Sequence, residues 1–257
     1  MKVAQHIVDA RRARLAELLQ AEGYLPVAAV CERLAISEAT ARRDLAELER
    51  TQTITRTRGG ALIEYNQRFP SFRERQAKAS EAKTRIGAVA AALVEPGQTL
   101  WLDGGTTTHA IAQALANAGT SGLTVVTNNL PIADVLADRA GVSVHLLGGE
   151  YLRRSSLLLG AHTLDGLRAW SFDLAFLGAE GMDREGLSNS QADLVALQRA
   201  VAAIATRTVY AVDATKLGAR AVEALAPWDA VDRLVSDASS AAFAAAGCAL
   251  GDRLISA

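Results

Sequence analysis

Two places in the chain carry residue types and spacings that can do chemistry. The first is the run SEATARRDLAEL beginning at Ser37. Ser37 is a good helix N-cap, and Glu38 in the first turn complements the helix dipole. Leu45 and Leu48 share one face, which leaves Thr40, Arg42 and Arg43 on others. A short helix with cations and small polar groups at its exposed N-terminal end suits the major groove of DNA, where arginines grip phosphates or guanine edges. The second place is the run DGGTTT at 103–108. It is an apolar strand, then two glycines, then three threonines opening a helix. Backbone N–H groups freed by glycine at a helix N-terminus favour an anion, and threonine hydroxyls add donors. Lys216 supplies a cation from another strand end, and Asp103 and Glu180 can accept hydrogen bonds from sugar hydroxyls. The ligand this chemistry fits is a small phosphorylated polyol or sugar.

Several elements must position these groups. Residues 6–21 have a helical apolar pattern through Ile7, Ala10, Leu15, Leu18 and Leu19. Gly23 ends it, and Pro26 can open a second short helix whose apolar face is Val27, Val30, Cys31 and Leu34. Ala35 and Ile36 make a tight connection to the helix capped by Ser37, which is a helix-turn-helix arrangement. β-Branched residues at 53–57 and the pair Gly59 and Gly60 then read as a hairpin, forming a wing. Arg56 and Arg58 alternate on one face of that wing, within reach of phosphates or the minor groove. The stretch 65–80 is polar, contains a proline and has no clean period; it reads as a linker, with Phe69 and Phe72 as candidate anchors.

From Glu81 onward, apolar strands at 98–103, 123–128, 142–148, 172–178, 207–213 and 232–237 alternate with helical patterns at 108–117, 130–139 and 194–205. That order predicts a doubly wound, mostly parallel sheet, and ligands of such sheets bind beyond the C-terminal strand ends. Those ends are here polar or glycine-rich. The expected fold class is therefore α/β: a winged helix-turn-helix over 1–62, a linker over 63–80 and a C-terminal doubly wound domain over 81–257.

Composition narrows the function classes. Residues 1–80 hold 14 Lys and Arg against 10 Asp and Glu, while 81–257 hold 13 against 18. A mildly basic head on an acidic body fits DNA contact confined to one end. Cys31 and Cys248 have no spacing that suggests a disulfide framework or zinc, and His109, His145 and His162 share no metal spacing. No metal, cofactor or catalytic residue is expected. Charges run through the N-terminus and the most apolar late run, 238–250, is short, so a cytoplasmic protein with no membrane partner is expected. DNA readers of this kind act as dimers on two half-sites, so a homo-oligomer, dimer or tetramer, is expected.

The whole chain resembles the DeoR family of bacterial transcriptional regulators. The head carries VAAVCERLAISEATARRDLAELE followed by ITRTRGGA, and the body carries LWLDGGTTTHAIAQAL, LTVVTNNLPIA, LLGGEYL, FDLAFLGAEGMDREGLS and AVDATKLG. The resemblance implies a regulator, usually a repressor, that double-stranded operator DNA binds and a phosphorylated sugar or polyol effector releases. It implies a sensor domain similar in fold to ribose-5-phosphate isomerase. It puts the effector near Asp103, Gly105, Thr106, Thr107, Thr127, Asn128, Gly148, Glu180, Asp213 and Lys216, and DNA near Ser37, Thr40, Arg42, Arg43, Arg56 and Arg58. One departure is visible: the family's wing commonly reads His-Gly-Gly-Ala, and Arg58 stands where the histidine would be. The competing reading is an isomerase-like enzyme on a sugar phosphate with an accessory head, with Glu180, Asp183 and Lys216 as nominees for proton transfer.

Overall fold

Leucines at helical spacing in the first fifty residues bury one another and build a small all-helical core. In the computed structural model, which describes residues 5–22, 24–50, 54–56, 60–63, 70–248 and 250–257, the chain divides into two compact units, Met1–Phe69 and Pro70–Ala257. In the first unit, α1 (Gln5–Glu22), α2 (Val27–Leu34) and α3 (Glu38–Arg50) enclose Leu15, Leu19, Leu25, Val30, Ala41, Leu45 and Leu48. Ile7, placed by its spacing on the apolar face of α1, is 50% exposed, because the core gathers around the C-terminal half of that helix.

A β-hairpin follows α3. Its strands β2 (Ile54–Arg56) and β3 (Gly60–Ile63) pair antiparallel with Arg56 opposite Ala61. A third strand, β1 (Tyr24–Pro26), pairs on the other side of β3, so the wing is a three-stranded sheet in the order β1-β3-β2. Pro26 is both the end of β1 and the N-cap of α2.

The turn between α2 and α3 is closed by Ala35 in the left-handed region, φ +50°. Its neighbour Ile36 donates its N–H to Cys31 O at 3.1 Å. That conformation suits glycine, since an L side chain there crowds the carbonyl. Ala35→Gly is expected to stabilise the first unit by roughly 0.5–1 kcal/mol, a balance of relieved strain against a looser unfolded chain. Chemical denaturation followed by helical circular dichroism reads this; a destabilised variant would show that the turn is held from elsewhere.

In the second unit, α4 (Phe72–Ala77) and α5 (Ser80–Ala91) come first. The stretch expected as linker thus overlaps this unit, because Ser71 and Glu74 form a capping box that starts α4: Glu74 N–H donates to Ser71 Oγ at 3.3 Å and Ser71 N–H to Glu74 Oε2 at 2.6 Å. The segment 64–69, including Phe69, lies outside the described residues. Next come β4 (Thr99–Leu102), α6 (Thr106–Ala118), β5 (Leu123–Thr127), α7 (Leu130–Leu136) and β6 (Val142–Leu146). The hairpin β7 (Glu150–Leu152) and β8 (Leu157–Leu159), helix α8 (Ala161–Gly166) and strand β9 (Leu174–Leu177) follow. The remainder is β10 (Gly181–Asp183), β11 (Gly186–Asn189), α9 (Ala192–Ile204), β12 (Thr208–Ala211), β13 (Glu223–Ala226), β14 (Arg233–Ser236), α10 (Ser240–Ala245) and β15 (Leu254–Ser256).

Seven strands form one parallel sheet in the order β15-β14-β12-β9-β4-β5-β6. Successive residues face opposite layers, as the pleat requires. Leu100 and Leu102 join Ile86, Ile111 and Ile132 on the layer of α5, α6 and α7. Trp101 joins Leu194, Leu197 and Val201 of α9 on the other. The strand order reverses between β4 and β9: the chain runs outward to β5 and β6, then returns to β9 and continues the other way. A crevice forms where loops leave such a pair in opposite directions, and that is where ligands of these sheets bind. Asp103 ends β4 at this point. Among the described residues, no helix is long and apolar enough to cross a membrane.

Candidate functional site

Helix α3 presents one face to the core and another to solvent. Ala41, Asp44, Leu45 and Leu48 are buried, while Ser37, Arg42 and Arg43 are exposed. Ser37 starts the helix: Thr40 N–H reaches Ser37 Oγ at 3.4 Å, and the two hydroxyls are 2.9 Å apart. Arg42 pairs with Glu38 one turn earlier, 2.6 Å from its carboxylate, with both side chains more than half exposed. Arg43 Nε donates to Ala39 O at 3.2 Å. An exposed pair at this spacing is worth about 0.3–0.5 kcal/mol, so both guanidinium groups are cheap to redirect.

A residue that the sequence pattern did not single out fixes this face. Asp44 is 1% exposed and accepts from Arg11 Nε at 2.6 Å and Arg12 Nε at 3.0 Å, both on α1. The hydrogen bond to Asp44 raises the Arg11 guanidinium further above its already high pKa. Asp44 therefore pins α3 to α1 from within. Of the wing arginines, Arg56 lies on β2, and Arg58 is outside the described residues.

The second cluster lies at the C-terminal ends of the parallel strands. Asp103 N–H bonds Phe176 O at 3.0 Å, joining the ends of β4 and β9. Its carboxylate is buried, with Oδ2 accepting from Gly178 N–H at 3.1 Å and Gln198 Nε2 at 2.6 Å. Among the described residues Oδ1 has no hydrogen-bond partner. Burial pushes this carboxyl above its usual range, against the opposing pull of Gly178, Gln198, the Gly104 N–H and the nearby Arg75 charge. Gln198 is held in turn by Asn189, whose Nδ2 donates to it at 2.6 Å. A Cβ at Gly104 would fall 1.7 Å from Leu157 Cδ2, so any side chain there requires Leu157 to move.

Helix α6 begins immediately after. Gly105 is its N-cap, and Thr108 Oγ1 accepts from Gly105 N–H at 2.9 Å while donating to Asp103 O at 2.6 Å. Thr106 and Thr107 are differently placed. Their first-turn N–H groups have no intrahelical acceptor, and among the described residues their hydroxyls take no partner. Next door at the end of β5, Asn128 Nδ2 donates to Leu158 O at 3.0 Å, but its Oδ1 is buried without a partner. Asp103, Thr106, Thr107 and Asn128 are thus grouped around the strand reversal, offering orphan acceptors and orphan donors together.

Other expected contacts are used structurally. The Thr127 hydroxyl is fully buried, donating to Leu102 O at 2.6 Å and accepting from Asn129 N–H at 3.1 Å. It stitches β5 to β4, with its proton committed to Leu102 O. Asp213 at the end of β12 accepts from Thr215 N–H at 3.1 Å and from the Thr215 hydroxyl. Gly148 is exposed beyond the outer strand β6, and its carbonyl takes the Thr163 hydroxyl at 2.7 Å. Glu180 receives the Ser190 hydroxyl. Asp183, a nominee for proton transfer, is held by Arg220 at 2.9 Å, whose hydrogen bond helps keep its carboxyl below the usual range despite burial. Lys216 is half-buried.

A further basic group enters the picture from just beyond the segment read as linker. The Lys83 ammonium, on α5, is buried and lies within electrostatic range of Asp213, Lys216 and Arg75. Burial lowers its pKa, Asp213 opposes that, and the neighbouring cations reinforce it. Among the described residues, no group of three or more His, Cys, Asp and Glu side chains converges as a metal site would require.

Comparison with known proteins gives consistent matches across both units. Residues 78–238 match the DeoR C terminal sensor domain, and residues 11–67 match the DeoR-like helix-turn-helix domain. The HTH-type transcriptional repressor GlcR of Bacillus subtilis (strain 168) is 31% identical, covering 89% of this chain and 88% of that protein. The glycerol-3-phosphate regulon repressor of Escherichia coli (strain K12) is 33% identical over 86% of this chain and 88% of its own length. Among solved structures, a D-ribose-5-phosphate isomerase in complex with phospho-erythronic acid aligns with a TM-score of 0.40 at 16% identity, covering 56% of this chain and 54% of that one.

Proposed function

Because the chain belongs to the DeoR family of helix-turn-helix transcriptional regulators, we propose that it represses a carbohydrate operon and leaves its operator when a phosphorylated sugar or polyol binds the second unit. Relatives named as a glycerol-3-phosphate regulon repressor and as the repressor GlcR support the direction of control and the ligand class. The single observation that carries the ligand reading is the pairing of unsatisfied groups at the strand reversal. A phosphoryl group meets the free N–H and hydroxyl groups of Thr106 and Thr107 with Lys216 as counter-charge. Ligand hydroxyls donate to Asp103 Oδ1 and Asn128 Oδ1, two buried acceptors without a hydrogen-bond partner among the described residues. Gly105 and Thr127 shape the cradle, Asp213 orients the turn that carries Lys216, and Glu180 and Gly148 line its margin.

On DNA, Ser37 and Thr40 hold the start of α3, Arg42 and Arg43 contact phosphates or guanine edges, and Arg56 and Arg58 grip from the wing. A homo-oligomer in the cytoplasm would place two such heads on paired half-sites. The test is a fluorescent duplex from the upstream region, titrated at two salt concentrations with and without sugar phosphates. The expected result is binding well above random DNA, weakened by at least one sugar phosphate and not by the corresponding free sugar. Affinity no better than for random DNA sinks the repressor; affinity indifferent to every sugar phosphate sinks the sensor.

A further inference from the structure

Lys83 is an odd residue to bury. It is 6% exposed, and its ammonium donates to two main-chain carbonyls, Arg75 O and Lys78 O, each at 2.5 Å. Those carbonyls belong to the end of α4 and the turn after it. Lys83 thus caps the C-terminus of a six-residue helix too short to be stable by itself. The rest of α4 is anchored by Phe72, whose N–H donates to Arg154 O at 2.7 Å and whose ring meets the edge of His109 at 5.4 Å. The Lys83 backbone cannot follow its side chain. One turn on, Gly87 lets α5 lie so close to α6 that a Cβ there would be 2.6 Å from Ala110 O. Only the side chain is left to move.

Asp213 and Lys216, which follow the end of β12, lie within electrostatic range of the ammonium, as do Arg75 and Lys78. An ammonium has three donors, and bonds to a phosphoryl anion are shorter and stronger than bonds to neutral carbonyls. We propose that Lys83 is the coupling residue of the sensor: a phosphorylated ligand seated on Thr106, Thr107 and Lys216 draws the Lys83 ammonium away from the α4 carbonyls, and α4 loosens. In sequence, α4 follows directly on the segment leading from the DNA-binding unit. As the first helix of the second unit in sequence, α4 is the element through which occupancy would be passed on. The idea rests on the sugar-phosphate reading of the site given above.

Amide hydrogen exchange over 72–79, in the full-length protein with glycerol 3-phosphate or glucose 6-phosphate, tests it; glycerol and glucose serve as controls. A melting-temperature shift is measured in parallel to report binding. The expected result in wild type is a higher melting temperature together with exchange over 72–79 accelerated about tenfold, in the range of ordinary coupling. Lys83→Gln retains a side-chain donor without the charge. It should fold, still shift its melting temperature with the phosphate, and show exchange over 72–79 that no longer responds. Lys83→Met should behave alike, starting from faster exchange; a merely structural lysine would change the starting rate and leave the response. A wild-type melting shift with unchanged exchange over 72–79 overturns the coupling and leaves the site standing. The absence of any melting shift with either phosphate overturns the site and takes the coupling with it.

Discussion

Arg42→Ala combined with Arg43→Ala is expected to weaken operator binding by on the order of a hundredfold while leaving the melting temperature nearly unchanged. The two halves of that expectation have separate causes. Stability is spared because both side chains are exposed. Arg42 loses only an exposed pair with Glu38, and Arg43 a bond to Ala39 O. Alanine repays part of this as the better helix former. Binding suffers because these are the cations at the exposed start of α3. Titration at several salt concentrations tells which contact each makes. A phosphate contact lowers the salt slope by about one unit per arginine removed. A base contact leaves the slope and erases discrimination among operator variants, at roughly 1–3 kcal/mol per bidentate pair. Asp44→Ala is the instructive contrast. It also abolishes binding, but by freeing Arg11 and Arg12 from a buried acceptor, at a cost of about 2–3 kcal/mol of stability. A double arginine variant that melts like Asp44→Ala, or binds operator like wild type, would remove α3 as the reading helix.

The contrast between Arg42 and Asp44 also shows what a sequence can and cannot disclose. Exposed cations behind an N-cap are visible because their placement follows from helix periodicity alone. Asp44 looks like one more polar residue in a charged run, and its partners are more than thirty positions away. The six long strands of the sheet were legible for the same local reason, being continuous apolar runs. Strand β1 is three residues ending in a proline that reads equally well as a helix start, and β15 is too short for any period. Helix α4 lies within the stretch that reads as linker, although Ser71 and Glu74 stand at capping-box spacing. In the cluster at the strand ends, the threonines after Asp103 stand out in the sequence, whereas Gln198, 95 residues further on, does not. Thr127 teaches the converse. A hydroxyl at a strand end suggests a ligand contact, but a fully buried hydroxyl has to find protein partners first, and here it found Leu102 and Asn129.

Asp103→Asn is expected to make the protein more stable at neutral pH and about tenfold weaker for its sugar-phosphate ligand. Gly178 and Gln198 donate to Asp103 Oδ2 and the Gly104 N–H adds to their pull, yet burial outweighs all three and pushes the carboxyl upward. A folded-state pKa above the unfolded value means that the native state binds the proton more tightly. The destabilisation therefore appears as pH rises past the ordinary carboxylate value of 3.8 and is complete once pH exceeds the raised native value. Asparagine carries no such charge. The gap in stability between variant and wild type should thus be small toward pH 4 and widen as pH rises, a profile that urea melts across the pH range would trace. Asp103 Oδ1 is the acceptor offered to a ligand hydroxyl, and asparagine presents a donor or a weaker acceptor in its place. A variant less stable than wild type at pH 7 would show that the ionised carboxylate is needed to hold Gly178 and Gln198. A variant that binds glycerol 3-phosphate or glucose 6-phosphate more tightly would show that Asp103 repels the phosphoryl group and receives no hydroxyl, and the polyol end of the ligand would then have to lie toward Asn128 alone.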